Sequence, residues 1–382
     1  MKEIIFIRQS SPEMGGVEWQ IIKFAEKLFS RHCFKPVLIT SDNQSTFAKD
    51  FAACGFEVLA VPMEKIKIFS AIKDILKILE NREVAVIQTH LFRESAIGRA
   101  IRKKKPGIRH IFRAETYIDC LSRPRWKKNL YHLLDKITSR WVDCYIANGQ
   151  YLANEIVNRS KVNPNKIIVL LNGTDPIGPP DEPCGRLYEP LSPRIAMIAN
   201  LKKGKGHDCL IKALAELKKR NLKIAARFIG GKATGSLGNA RIDDTEEQIK
   251  KMAEELNVSD QIEFYGYTRD IYIALEGILV VVLPSDSEGI PNCIFEAMSL
   301  RKLVIASNTG GVDEMIEHGK TGLLHQPKDY KGFADCLEKV FTTPANQWEN
   351  VRNAGFEKWQ KEFTGTKMVN DFIEIYQRLG VL

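Results

Sequence analysis

The chain has 382 residues and a mass of 43.3 kDa, with 44% hydrophobic and 27% charged residues; at roughly 150 residues per domain this suggests two or three domains. Mean hydropathy is −0.21, and 26 Gly and 16 Pro are spread along the chain, which excludes collagenous, low-complexity and disordered classes. Fifty-six Lys and Arg against 47 Asp and Glu leave a net charge of +9, and the most apolar run, Ile278–Leu283, is far shorter than the roughly 20 residues a membrane-spanning helix needs.

The first residues read Lys2, a short apolar stretch and Arg8. A secretory leader needs an apolar core of about 7–15 residues, so this segment is read as a first strand. Strand-like runs follow at Ile4–Ile7, Pro36–Thr40, Glu57–Val61, Val84–Thr89, Ile108–Phe112, Cys144–Ala147 and Ile167–Leu171, with helical patterns such as Trp19–Phe29 and Ile66–Leu79 between them. This alternation predicts βαβ units and a parallel sheet over residues 1–175. Residues 176–193 carry six prolines and read as a linker. The alternation restarts over 194–360, with strands near Ile195–Ile198, Ala225–Ile229, Ile262–Tyr265, Leu279–Leu283, Leu303–Ala306 and Gly322–His325. Helices are predicted around His207–Arg220, Thr245–Leu256 and Asn292–Leu300, and the tail from Tyr330 is mostly helical by pattern. The expected architecture is α/β, with two doubly wound Rossmann-like domains facing across a cleft, since open sheets bind ligands beyond the carboxyl ends of their strands. Eight cysteines without a C-x-x-C pair fit a reduced, cytoplasmic protein better than a disulfide framework or a zinc site.

The stretch Leu283–Leu324 carries the most chemistry. Glu288 lies in the loop at the carboxyl end of a buried strand, and Gly289 allows close backbone approach to a ligand. Pro291 suits a first helical position, and the free N–H groups around it, with the helix dipole, favour an anion such as a diphosphate. Glu296 stands about four residues into that helix, roughly 6 Å along it. Two carboxylates in this arrangement suit a ligand with a sugar at one end and a ribose at the other.

These residues resemble the family-four retaining glycosyltransferases of the GT-B fold, whose hallmark is Glu-x7-Glu in an S-x-x-E-G-x-P-x-x-x-x-E-A-M context. Ser285, Glu288, Gly289, Pro291, Glu296, Ala297 and Met298 fit it, and Gly310, Gly311, Glu314 and Gly319 fit the family's next segment. The resemblance implies that Glu288 contacts the donor sugar and Glu296 the nucleotide ribose, with Gly289, Ile290, Pro291 and Asn292 supplying the loop around the donor. Lys205, in a basic glycine loop before a helix, is similar to the family's K-G-H-D element and is expected on the diphosphate. Where many members have Arg this chain has Asn200, so Lys202 or Lys203 is expected to make the second diphosphate contact. The resemblance also places the turn Gly15–Gly16 over the donor phosphate, and a final helix in 361–382 back on the first domain.

His90, at the end of the fourth strand, faces either the acceptor or its own structural partners, and Arg113 and Glu115, which stand where relatives carry another histidine, are the other candidates for contact with the acceptor. The implied activity is retaining transfer of a hexosyl group from a nucleotide diphosphate sugar, UDP-linked by family frequency, to a saccharide or lipid-linked saccharide in cell-surface polysaccharide assembly. No cofactor or metal is expected, since a diphosphate leaving group met by Lys205 and loop amides needs no acid.

Thirteen basic against three acidic residues lie between Arg99 and Trp141. The helix within Arg123–Trp141 reads either as a contact with the anionic inner face of the cytoplasmic membrane or as a core helix with a solvated basic face. A basic nucleic-acid- or membrane-binding protein on the same fold, and a nucleotide-sugar epimerase or hydrolase, are the competing readings. No recognition-helix motif, zinc finger or RNP-like strand supports nucleic acid as a partner, and no G-x-G-x-x-G after the first strand supports an oxidoreductase.

Overall fold

The computed structural model describes residues 1–10, 16–63, 67–115, 124–178, 194–231 and 245–382. The chain forms two compact units, Met1–Asn172 with Gly365–Leu382, and Gly173–Thr364. In the first, strands β1 (Glu3–Ile7), β2 (Lys35–Thr40), β3 (Glu57–Ala60), β4 (Val84–Thr89), β5 (Arg109–Ala114), β6 (Cys144–Ala147) and β7 (Ile167–Val169) alternate with helices. These helices are α1 (Gly16–Ser30), α2 (Thr46–Ala53), α3 (Ile68–Ile78), α4 (Phe92–Lys104), α5 (Arg125–Thr138) and α6 (Gln150–Ser160). Among the described residues the strands pair in parallel in the order β3-β2-β1-β4-β5-β6-β7.

Both faces of this sheet are buried, which is why its strands read as continuous apolar runs. Alternation along β1 sends Ile4 and Phe6 to one core and Ile5 and Ile7 to the other. The first core is completed by the last helix, here numbered α14 (Gly365–Arg378), whose Met368, Phe372, Ile375 and Tyr376 form one apolar face at helical spacing. Phe372 packs at a tilt against Phe24 of α1, with 4.3 Å between ring centres.

The second unit contains β8 (Arg194–Ile198), α7 (His207–Lys219), β9 (Ala225–Ile229), α8 (Thr245–Glu255), β10 (Ile262–Gly266), α9 (Ile271–Ala274), β11 (Val280–Leu283), α10 (Asn292–Ser299), β12 (Leu303–Ser307), α11 (Val312–Met315), β13 (Leu323–His325), α12 (Tyr330–Thr342) and α13 (Glu349–Glu362). Its described strands are parallel in the order β10-β9-β8-β11-β12-β13. At the entry and exit of this unit Thr174 accepts a hydrogen bond from the Trp359 indole at 2.8 Å and bridges to Thr364.

The strand order of each sheet reverses once, between β1 and β4 in the first unit and between β8 and β11 in the second. The loops leaving those strands diverge there, and the gap at such a switch point is where an open α/β sheet receives a ligand.

Candidate active site

In the second unit the two loops at the switch point carry Lys205, after β8, and Glu288, after β11. The Lys205 ammonium donates to both Glu288 oxygens, at 2.8 and 3.0 Å. The Glu288 side chain is 8% exposed and that of Lys205 33%, so the pair lies at the rim, shielded but reachable. Backbone contacts fix the two loops together: Asp286 N–H donates to Gly204 O at 2.9 Å, and the Ser285 hydroxyl to Lys205 O at 3.2 Å. Gly206 has φ +86°, and a Cβ there would run into the carbonyl of Pro284. A third segment closes on the other side, where Gly311 N–H donates to Gly289 O at 3.1 Å. Gly310, at φ +61°, leaves no room for a Cβ against Glu288 O. The glycines of the two neighbouring segments thus let backbone press directly on the Glu288 loop.

Pro291 is the N-cap of α10, with φ −76° and ψ 121°, one residue before the helical position expected for it. Ile290 is buried at 7% exposure. Asn292 and Cys293 are the first helical residues. Glu296, one turn further, is partly exposed, yet no hydrogen-bond donor among the described residues reaches its carboxylate, and burial alone pushes its pKa up to about 7. Burial, reinforced by Glu296 and Glu288, also pushes the Cys293 thiol up, so it stays an unreactive neutral group. Lys202 and Lys203 are exposed in the turn before Lys205, as is Asn200. His207 packs edge-on against Phe228, with ring centres 5.4 Å apart.

The switch point of the first unit is built differently. Arg8, immediately after β1, donates to Glu18 of α1 at 2.9 and 2.5 Å and lies 3.9 Å from Glu94 of α4. His90, after β4, is 0% exposed; its Nδ1 is 3.5 Å from Glu115 and its Nε2 3.2 Å from Gln88. Glu115, after β5, pairs with Arg113 at 3.0 Å. Burial opposes the Glu115 charge, but Arg113, His90 and Arg8 overcome it and hold the carboxyl down to about 2. Burial also holds the His90 ring below its usual pKa, against the pull of Glu115.

Arg113, an acceptor-side candidate from the sequence, is 0% exposed. Its guanidinium is taken up by Glu115, by Asn172 at 2.6 Å, and by the Phe372 ring of α14, 5.0 Å from its centre. Gly15 lies outside the described residues, and Gly16 is the first residue of α1. Sequence reasoning missed Arg8, Glu18 and Glu94. The signal available for them was a cation placed directly at the end of a buried strand, where only a carboxylate nearby makes its burial tolerable.

Among the described residues no group of three His, Cys, Asp or Glu side chains could hold a metal ion, and no helix is long and apolar enough to cross a membrane. Residues 190–358 match the family described as glycosyl transferases group 1, and residues 14–177 the family described as glycosyltransferase family 4. EpsD of Bacillus subtilis (strain 168), a protein assigned as a glycosyltransferase, is 24% identical over 318 residues, which are 80% of this chain and 79% of EpsD. An uncharacterised 41.2 kDa protein from the cps region of Klebsiella pneumoniae is 24% identical over 322 residues, 79% of this chain and 81% of that one. Among solved structures, Anabaena HepE in complex with UDP-glucose superposes with a TM-score of 0.82 at 17% identity, over 99% of this chain and 100% of HepE.

Proposed function

The chain is a family-four glycosyltransferase with the GT-B fold, and from that premise we propose that it transfers a hexosyl group from a nucleotide diphosphate sugar, UDP-linked, to a saccharide or lipid-linked saccharide in cell-surface polysaccharide assembly. The transfer proceeds with retention at the anomeric carbon and without a divalent ion. The observation that carries this reading is the Lys205–Glu288 pair at the switch point of the second unit. It sets a fixed cation and a fixed carboxylate side by side at a sheet's ligand-binding gap. The UDP-glucose complex of HepE and the polysaccharide setting of the cps-region relative support the choice of donor and pathway class.

In this mechanism the diphosphate lies on Lys205, on Lys202 or Lys203, and on the N–H groups at the start of α10, where positive charge awaits it before reaction. The carboxylate of Glu288 accepts hydrogen bonds from the donor sugar hydroxyls. Glu296 accepts those of the ribose. The bond from the anomeric carbon to the phosphate oxygen breaks as the acceptor oxygen bonds to the same face. The acceptor proton passes to the leaving diphosphate. Cys293 is held neutral and supplies no nucleophile. His90, Glu115 and Arg113 are positioning residues, since they are buried and act by fixing the strand ends of the first unit.

The test is incubation of the purified protein with UDP-sugars and a panel of soluble and lipid-linked saccharides, with and without chelator. Product with retained anomeric configuration that survives chelation is expected. An inverted product, or absolute dependence on a divalent ion, would refute the mechanism.

A further inference from the structure

Charge is divided unevenly between the two units. The first, Met1–Asn172 with Gly365–Leu382, holds 31 Lys and Arg against 19 Asp and Glu, a net +12. The second, Gly173–Thr364, holds 25 against 28, a net −3. The whole positive excess of the chain therefore belongs to the first unit. A donor diphosphate on Lys205 calls on cations of the second unit and leaves this excess unused.

Within the first unit the two ends of the sheet differ. At the amino ends of the strands the cations have carboxylates: Arg82 reaches Glu3 at 3.2 Å and also holds Glu57, and Arg102 and Arg109 share Asp143 at 2.6 and 3.0 Å. At the carboxyl ends, where such a sheet receives a ligand, Glu18, Glu94 and Glu115 are 2%, 1% and 6% exposed and face Arg8 and Arg113. Asp42, after β2, accepts the Gln44 N–H at 2.8 Å. Arg93, Arg125 and Lys127 stand at this same end and reach solvent, and none of the three has a carboxylate partner among the described residues. Arg93 donates to the neutral side-chain oxygen of Gln9 at 2.5 Å, and the Lys127 ammonium lies 5.1 Å from the Trp126 ring centre. The rings of Phe92 and Tyr131, 5.2 Å apart, join the first turn of α4 to the second turn of α5, so the three cations flank one contact.

Helix α5 does not neutralise them. Its one acidic residue, Asp135, is 0% exposed and turned inward onto Arg99 and the Tyr145 hydroxyl, the latter at 3.1 Å, while Leu133 and Ile137 on the outer side are 52% and 53% exposed. Its N-cap, Pro124, makes no side-chain bond. The helix dipole repels cations at that end, and both attract an anion.

We propose that the acceptor of this transferase is an anionic saccharide, bearing carboxylate or phosphate groups, whose charge is received by Arg93, Arg125 and Lys127 at the carboxyl ends of β4 and β5. This rests on the reading of the chain as a glycosyltransferase with its acceptor on the first unit, and gives that acceptor a chemical class. A guanidinium takes two oxygens of a carboxylate or phosphate at once, with a charge that a neutral sugar hydroxyl lacks. The field of the unit also speeds the arrival of an anion.

The experiment is calorimetric titration of the full chain, without donor, with two kinds of matched pair: uronic acid oligosaccharides against their carboxyl-reduced forms, and phosphorylated oligosaccharides against their dephosphorylated forms. At least one anionic member binds about tenfold or more tightly than its neutral partner, and the preference shrinks as salt rises. The pair that separates identifies the anionic group. Arg93→Gln with Lys127→Gln reduces the preference by about tenfold and keeps the wild-type melting temperature; Arg125→Gln alone, at an exposed site, lowers it in the same direction. Lys103→Gln with Lys104→Gln, the same loss of charge at the amino end of the sheet, leaves it within about twofold. The proposal is overturned if no anionic saccharide binds more tightly than its neutral partner, or if the two double variants bind alike. It is equally overturned if random single-stranded DNA binds as tightly at equal charge concentration, which marks a general polyanion surface. The titration uses no nucleotide, so its outcome is separate from that of UDP-sugar binding at Lys205 and either reading can fail alone.

Discussion

The two sheets reverse strand order at equivalent places, yet the charges there are arranged to opposite ends. In the second unit Lys205 and Glu288 form a single pair at the rim, and Glu296, on the helix that follows, has a carboxylate that no donor among the described residues reaches. In the first unit two guanidinium groups, Arg8 and Arg113, and three carboxylates, Glu18, Glu94 and Glu115, are buried together around His90. Charges left at the rim can exchange partners with a ligand at modest cost. Charges buried against one another cannot, because parting any of them leaves an uncompensated ion in a poor dielectric. The first arrangement fits a binding surface and the second a frame that fixes loops.

Breaking the frame is expected to have the largest effect. Arg113→Met leaves Glu115 buried without its nearest cation and should lower stability by about 3–5 kcal/mol, read by chemical denaturation. The same pair sets an acid limit. Glu115 is held down to about 2 from its usual 4.5, so its stabilisation is present above about pH 4.5 and lost as pH falls toward 2. Glu115→Gln should flatten that part of the stability profile.

Breaking the rim pair should leave the fold intact and stop the reaction. Lys205→Ala and Glu288→Gln are each expected to reduce turnover by about 10²–10³-fold or more, with melting temperatures near that of the wild type. Wild-type turnover in either variant would remove these residues from the site. Glu296→Ala should act mainly on affinity, weakening nucleotide binding about tenfold, measured by titration calorimetry.

The smallest effect sharpens the contrast most. Burial raises the Glu296 carboxyl to about 7, and ribose hydroxyls favour its ionised form. Nucleotide affinity should therefore rise a few-fold from about pH 6 to about pH 8, and Glu296→Gln should remove that difference. The sign is opposite for stability: the free protein holds this proton more tightly than the unfolded chain, so this group's contribution is lost as pH rises through about 7.

What the sequence made legible follows from the same contrast. The strands were readable because burial on both faces imposes apolar runs, and the bounds differ from expectation by a residue or two, as at Gly322 before β13. The Glu288 loop was readable because its residues are contiguous and its glycines and proline have local reasons. The buried cluster was not. Arg113 and Glu115 are two residues apart in an exposed-looking polar segment, and their burial depends on Asn172 and on Phe372, far along the chain. Helix α5 was predicted from its spacing, but the face it buries was decided by Arg99 and Tyr145, which lie outside the helix. A hydrophobic pattern locates a helix; long-range ion pairs can reverse which side faces in.

The most direct test of the central claim, that the rim pair of the second unit receives a nucleotide diphosphate sugar, is a thermal-shift comparison of the wild type and Lys205→Ala against UDP, GDP, ADP and CMP and their sugar conjugates. A ligand at 100 times its dissociation constant adds about 2.7 kcal/mol. The account predicts a clear upward shift of the wild type with UDP and UDP-sugars that Lys205→Ala largely loses. No shift with any nucleotide, or equal shifts in the two proteins, would contradict it.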